Sequence, residues 1–113
     1  MTVKIREIDV REAGRLAEEG AFLLDVREDD EWAAGHAPTA THLPLGRLGD
    51  IASVVSPGTP IVAICRSGNR SGRATEALTA AGYDVVNMAG GMTAWAAAGL
   101  PVVGGNGAAG TVI

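Results

Sequence analysis

Apolar residues follow two alternating rhythms along this chain. Three runs are apolar almost throughout: residues 21–26 (Ala-Phe-Leu-Leu-Asp-Val), residues 61–64 (Ile-Val-Ala-Ile) and residues 85–88 (Val-Val-Asn-Met). Runs this short and this uniform predict strands buried on both faces. Between them, apolar positions return every three or four residues, the period of a helix with one buried face. Val10, Ala13, Leu16 and Ala17 line up in this way behind Asp9, a capping residue with Glu12 three places on, and Gly20 stops that helix after about Glu19. A short helix is expected from Asp29 to Ala34, ending at Gly35. Another runs from about Arg70 to Ala81, with Ala74, Leu78 and Ala81 on one face and Gly82 at its end. The last spans Met92 to Ala98, after the turn Gly90-Gly91, and Gly99 closes it. Weaker signals complete the pattern: an edge strand from Thr2 to Ile5, a strand from Ala40 to Leu43 cut off by Pro44, and a weakly helical stretch from Leu45 to Val55 before the breaker Pro57-Gly58-Thr59-Pro60.

Strands alternating with helices predict an α/β fold, a mostly parallel sheet of four or five strands with helices on both faces. The 113 residues fit one domain, here residues 1–103. Residues 104–113 hold four glycines without periodicity and read as a flexible tail. Composition excludes several classes. The balance of 47% hydrophobic and 19% charged residues is that of a globular chain. A net charge of -4 with no basic stripe argues against nucleic acid. No stretch approaches the ~18 apolar residues that a membrane span needs, and the charged start, Met1 to Arg6, has no apolar core after it, so it does not read as a signal peptide. A single cysteine allows no internal disulfide, so a reducing cytoplasm is the expected setting.

That cysteine carries the candidate chemistry. Cys65 follows the apolar run 61–64 and opens the stretch Cys65-Arg66-Ser67-Gly68-Asn69-Arg70-Ser71-Gly72-Arg73-Ala74. In parallel sheets, ligands bind at the carboxyl ends of strands, where a loop meets a helix N-terminus. There the helix directs free N–H groups and its positive dipole end at the loop, and glycine at 68 lets successive amides turn inward as an anion nest. A thiol in such a nest ionises more easily, and the thiolate is the nucleophile. Arg66 and Arg70 add positive charge. A lone cysteine ending an apolar strand is ordinarily an inert packing residue; the flanking arginines and the strand-loop-helix position outweigh that reading and point to attack on a small anionic substrate. A nucleotide phosphate loop would need a Gly-Lys-Ser/Thr ending, which is absent.

The stretch CRSGNRS resembles the active-site loop of the rhodanese family of sulfurtransferases. Leu23-Leu24-Asp25-Val26-Arg27-Glu28, Glu31-Trp32 and Gly35-His36-Ala37-Pro38 are similar to that family's first signature. Gly90-Gly91-Met92-Thr93-Ala94-Trp95 and Gly99-Leu100-Pro101-Val102 are similar to its closing one. Three motifs in order, over about residues 5–102, make the match specific. Ala37, Thr39 and His42 depart from the usual pattern around the turn after His36, away from the loop.

The resemblance implies a rhodanese-like fold and sulfur transfer. Cys65 would take sulfane sulfur from a donor such as thiosulfate, forming a persulfide, and an external thiol or cyanide would remove it. Arg66, Ser67, Gly68, Asn69, Arg70 and Ser71 would cradle the sulfur and donor, with Arg66 and Arg70 on the sulfonate oxygens. Asp25 and Arg27 would support the loop, with Arg27 helping to attract anions, and His36 would fix its turn by hydrogen bonding. Trp32 and Trp95 read as packing residues. No cofactor and no metal is expected, since the two histidines and one cysteine have no ligand spacing. A phosphatase of related fold would carry arginine after five intervening residues; here Ser71 stands there and Arg70 comes one place early. With no second thiol in the chain, sulfur must leave to an outside acceptor. A sulfur carrier that takes persulfide from a protein donor and relays it to a partner would need the same loop, so both readings stand on the sequence.

Overall fold

The structure, a computed structural model, describes residues 4–113. Its sheet is built from β1 (Glu7–Ile8), β2 (Phe22–Asp25), β3 (Thr41–His42), β4 (Ile61–Ile64) and β5 (Val85–Met88). They lie in the order β1-β5-β4-β2-β3, and every neighbouring pair is parallel. The helices are α1 (Val10–Glu18), α2 (Asp29–Ala34), α3 (Asn69–Ala80) and α4 (Gly91–Ala97), with a 3-10 segment over Leu45–Ser53 that kinks at Arg47. None of the described helices is long and apolar enough to cross a membrane.

Uniformly apolar strands arise because each strand feeds two cores. Leu24, Ile61, Ala63 and Cys65 pack with Ile51, Val55, Ala74 and Leu78 on the face covered by α3 and the 3-10 segment. Leu23, Val62 and Ile64 pack with Val10, Ala13, Met92 and Trp95 on the face covered by α1 and α4. Side chains alternate between faces along a strand, so both sets must be apolar. The register sets Asp25 beside Ile64 and Ala63 beside Asn87. The carboxyl ends of β2, β4 and β5 therefore open onto one edge of the sheet.

Helix ends follow local chemistry. Asp9 Oδ1 accepts the Glu12 N–H at 2.9 Å, capping α1, and Gly20 takes φ +93° just beyond its end. The first strand differs from expectation. Thr2 and Val3 lie outside the described residues, Lys4 and Ile5 carry no strand, and pairing begins at Glu7, opposite Asn87. The partner strand decides this, because Asn87 N–H donates to Arg6 O (2.9 Å) and Ala89 N–H to Ile8 O (2.8 Å).

The glycine-rich tail lies along the domain. Gly110 N–H donates to Val102 O (3.0 Å) and Thr111 N–H to Ala34 O (2.8 Å), and Val112 packs against the core on the α1–α4 face. Gly35 makes this docking possible, since a Cβ there would stand 2.5 Å from Thr111 O. At Gly35 the missing Cβ is what permits this close backbone approach.

Candidate active site

The central strand β4 delivers Cys65 to the carboxyl edge, where its side chain is buried. The chain then turns through Arg66, Ser67 and Gly68 into α3. Gly68 is the N-cap with φ +106°, a backbone state that L side chains rarely adopt. This turn aims the Gly68 N–H at Cys65 Sγ, 3.1 Å away. One turn into α3, the fully buried Ser71 donates its hydroxyl to the same sulfur at 3.2 Å. Burial alone pushes the Cys65 thiol up; the Ser71 hydroxyl and the amides of Ser71, Gly68 and Ser67 more than offset it, so the thiol titrates below its ordinary value. The arrangement is a buried sulfur ringed by donors at the start of a 12-residue helix, a setting that favours its anion.

Two further segments hold the loop from behind. At the entrance of α4, Met92 N–H donates to Cys65 O (2.8 Å) and Thr93 N–H to Arg66 O (3.0 Å). Two of the unpaired N–H groups at the start of one helix thus bind the first two carbonyls of the loop. Gly91 allows the approach: it takes φ +59°, and a Cβ there would run into the Arg66 carbonyl. From β5, Asn87 Nδ2 donates to Gly68 O (3.0 Å) and to Glu7 Oε2 (2.7 Å), tying the turn to the neighbouring strands.

The two loop arginines differ. Arg66 is exposed, and its Nε donates to the main-chain oxygen of Ile113 at 2.9 Å, so the docked tail reaches the loop. Arg70 is engaged by Glu31 of α2: Nη1 reaches Oε1 at 2.6 Å and Nη2 reaches Oε2 at 2.8 Å. The Arg70 hydrogen bonds, working against burial, hold the Glu31 carboxyl down at about 2, and the same contact raises Arg70. Ser67 and Asn69 are exposed on the outer side of the turn.

Asp25 and Arg27 form a fully buried pair, with Nη2–Oδ2 2.8 Å and Nε–Oδ1 3.0 Å. Arg27 Nη2 also donates to Gly35 O at 2.7 Å, clamping the end of β2 to the turn after α2. A guanidinium so enclosed holds the rim together and has no surface on which to collect anions. The His36 ring stacks on Trp32 at 3.5 Å, and its Nδ1–H donates to Trp32 O at 2.7 Å. The unusual His42 is absorbed in the same way: its Nε2–H donates to Arg27 O (2.7 Å), and its ring stacks on Trp32 at 4.9 Å. Trp95 is buried in the core and donates Nε1–H to Pro101 O at 2.8 Å.

Glu31 and Asn87 are the site residues that pattern reading passed over. Each had a faint signal. Asn87 is the polar residue inside an otherwise apolar strand, and Glu31 stands beside Trp32 in the first signature.

Known proteins resemble this chain over most of its length. The family model described as Rhodanese-like domain matches residues 9–98. A sulfurtransferase of Allochromatium vinosum is 39% identical, over 88% of this chain and 95% of that one. Bacillus subtilis YtwF is 40% identical, over 70% of this chain and 77% of that protein. Among solved structures, a rhodanese-related protein from Thermoplasma volcanium superposes with a TM-score of 0.80 at 30% identity, covering 87% of this chain and 97% of that one.

Proposed function

This chain belongs to the family of rhodanese-like domains, and on that premise we propose that it is a sulfurtransferase working through a persulfide on Cys65. The observation that carries the reading is the sulfur itself: a buried thiol lowered by the Ser71 hydroxyl and loop amides, at the carboxyl end of the central strand. The Cys65 thiolate attacks the outer sulfur of thiosulfate, the S–S bond breaks, and sulfite leaves with the electron pair. Cys65 then carries S–S⁻, whose terminal sulfur takes up the inward-pointing donors. An external thiolate, or cyanide, attacks that terminal sulfur and the Cys65 thiolate departs, so two substrates react in turn. Arg66 and the loop amides meet the donor's oxygens, and Arg70 holds the rim through Glu31.

Intact mass after incubation of reduced protein with thiosulfate tests this, with Cys65→Ser alongside. The expected result is a gain of about 32 Da, one sulfur, on the wild type alone, removed by an added thiol. A thiol that alkylates freely but gains no sulfur would remove thiosulfate as donor and favour a carrier loaded by protein persulfides. A thiol that neither gains sulfur nor alkylates would overturn the reading.

A further inference from the structure

Arg70 is the loop residue whose chemistry best suits an oxyanion, yet its fork is occupied. Both of its terminal nitrogens lie on the two oxygens of Glu31, at 2.6 and 2.8 Å, the bidentate geometry a sulfonate or phosphate would otherwise claim. Glu31 is not free to leave. Its Oε1 also accepts the Glu28 main-chain N–H at 3.0 Å, closing the first turn of α2, and its side chain is only 13% exposed. Arg66, by contrast, uses Nε on Ile113 O, and its two terminal nitrogens make no hydrogen bond among the described residues.

The charge balance follows directly. Arg66 contributes +1, while Arg70 and Glu31 cancel, as do Arg27 and Asp25 below them. Once ionised for attack, the Cys65 sulfur cancels the remaining charge. Glu28 at the N-cap of α2, with Asp29 and Asp30 in its first turn, adds further negative charge on the Glu31 side. A doubly charged donor therefore gains no net attraction from the side-chain charges and has only the loop amides to hold its oxygens, whereas an uncharged donor forfeits nothing.

We propose that Glu31 sets the charge selectivity of the Cys65 site, neutralising Arg70 so that uncharged sulfane-sulfur donors, hydropersulfides in their protonated form, are preferred over dianionic thiosulfate. This rests on the sulfurtransferase reading. The step balances without a further reactant: the Cys65 thiolate attacks the outer sulfur of R–S–SH, the S–S bond breaks, RS⁻ leaves with the electron pair, and Cys65 carries S–SH. Glu31 is a positioning residue, acting through Arg70 rather than by touching the donor.

The test compares wild type, Glu31→Gln and Arg70→Ala. Gln retains an oxygen for the Glu28 N–H but removes the charge. Cys65 is alkylated in each protein with iodoacetate, an anion, and with iodoacetamide, its neutral counterpart of nearly the same size. Glu31→Gln should raise the iodoacetate-to-iodoacetamide rate ratio roughly five- to tenfold at low salt, the effect of one unit charge at the rim of the site, and high salt should erase the gain. Arg70→Ala, which leaves Glu31 unpaired, should lower the ratio. Sulfur loading, followed by mass, should shift in the same sense between thiosulfate and a small hydropersulfide. A ratio unmoved in Glu31→Gln, or both reagents slowed alike as for a contact that merely holds the loop, overturns the role of Glu31 even if sulfur still loads. A moved ratio with no sulfur loaded from either donor overturns the sulfurtransferase reading, and with it the donor assignment.

Discussion

Replacing Ser71 by alanine removes one donor from the Cys65 sulfur and little else. Its hydroxyl stands 3.2 Å from Sγ, is fully buried, and is the side-chain donor to that sulfur; Gly68 N–H, at 3.1 Å, remains. The contact from Thr75 Oγ1 runs to the Ser71 carbonyl and survives the change. A hydrogen bond to a charged group contributes about 1.5–3 kcal/mol. Taking the lower part of that range for a long-reaching sulfur acceptor, about 1.5–2 kcal/mol, the thiolate fraction at a fixed pH below both midpoints should fall roughly ten- to thirtyfold. The sign is set by which form the hydroxyl favours. Donation to sulfur stabilises the anion and holds the thiol low, so losing it moves the titration to higher pH. Thiolate absorbance near the ultraviolet edge, and the rate of alkylation by iodoacetamide against pH, read the midpoint directly. The thermal midpoint of Ser71→Ala guards against simple unfolding. An unchanged titration in a folded variant would refute the reasoning, because the loop amides alone would then hold the charge.

Two further changes test the supports of the site. Arg27→Met should cost about 3–5 kcal/mol in urea unfolding, because it strands the fully buried Asp25 carboxylate; a loss below about 1 kcal/mol would mean that Asp25 finds another partner. Gly91→Ala should destabilise clearly more than Gly82→Ala, for which the left-handed backbone alone costs about 1–2 kcal/mol. At Gly82 an added Cβ meets nothing within 4 Å, whereas at Gly91 it strikes the Arg66 carbonyl, so slower Cys65 alkylation is expected only for the latter. Equal losses of stability and reactivity in the two variants would show that the entrance of α4 does not brace the loop.

What the sequence determined by itself is what short-range chemistry controls. The bounds of α2, β4 and β5 stand where the apolar runs and their glycine stops put them. The Cys65 loop was legible for the same reason: an apolar strand, a glycine able to take φ +106° and a helix start follow one another within a few residues. Tertiary structure decided everything that depends on which distant segment becomes a neighbour. Arg70 could have faced solvent or substrate; the packing of α2 beside α3 gave it Glu31, 39 residues away in the chain. Gly90-Gly91 read as a turn, and only the sheet order brought that turn onto the carbonyls of Cys65 and Arg66. The first strand took its position from β5 rather than from its own apolar residues, since a parallel ladder is set by the partner's free N–H and C=O groups. The tail shows the contrast most plainly. Its glycines look like freedom in isolation, but a Cβ at Gly110 would stand 2.6 Å from the Val103 carbonyl carbon and one at Gly35, past the end of α2, 2.5 Å from Thr111 O; the same missing Cβ serves either outcome, and only the neighbour selects between them.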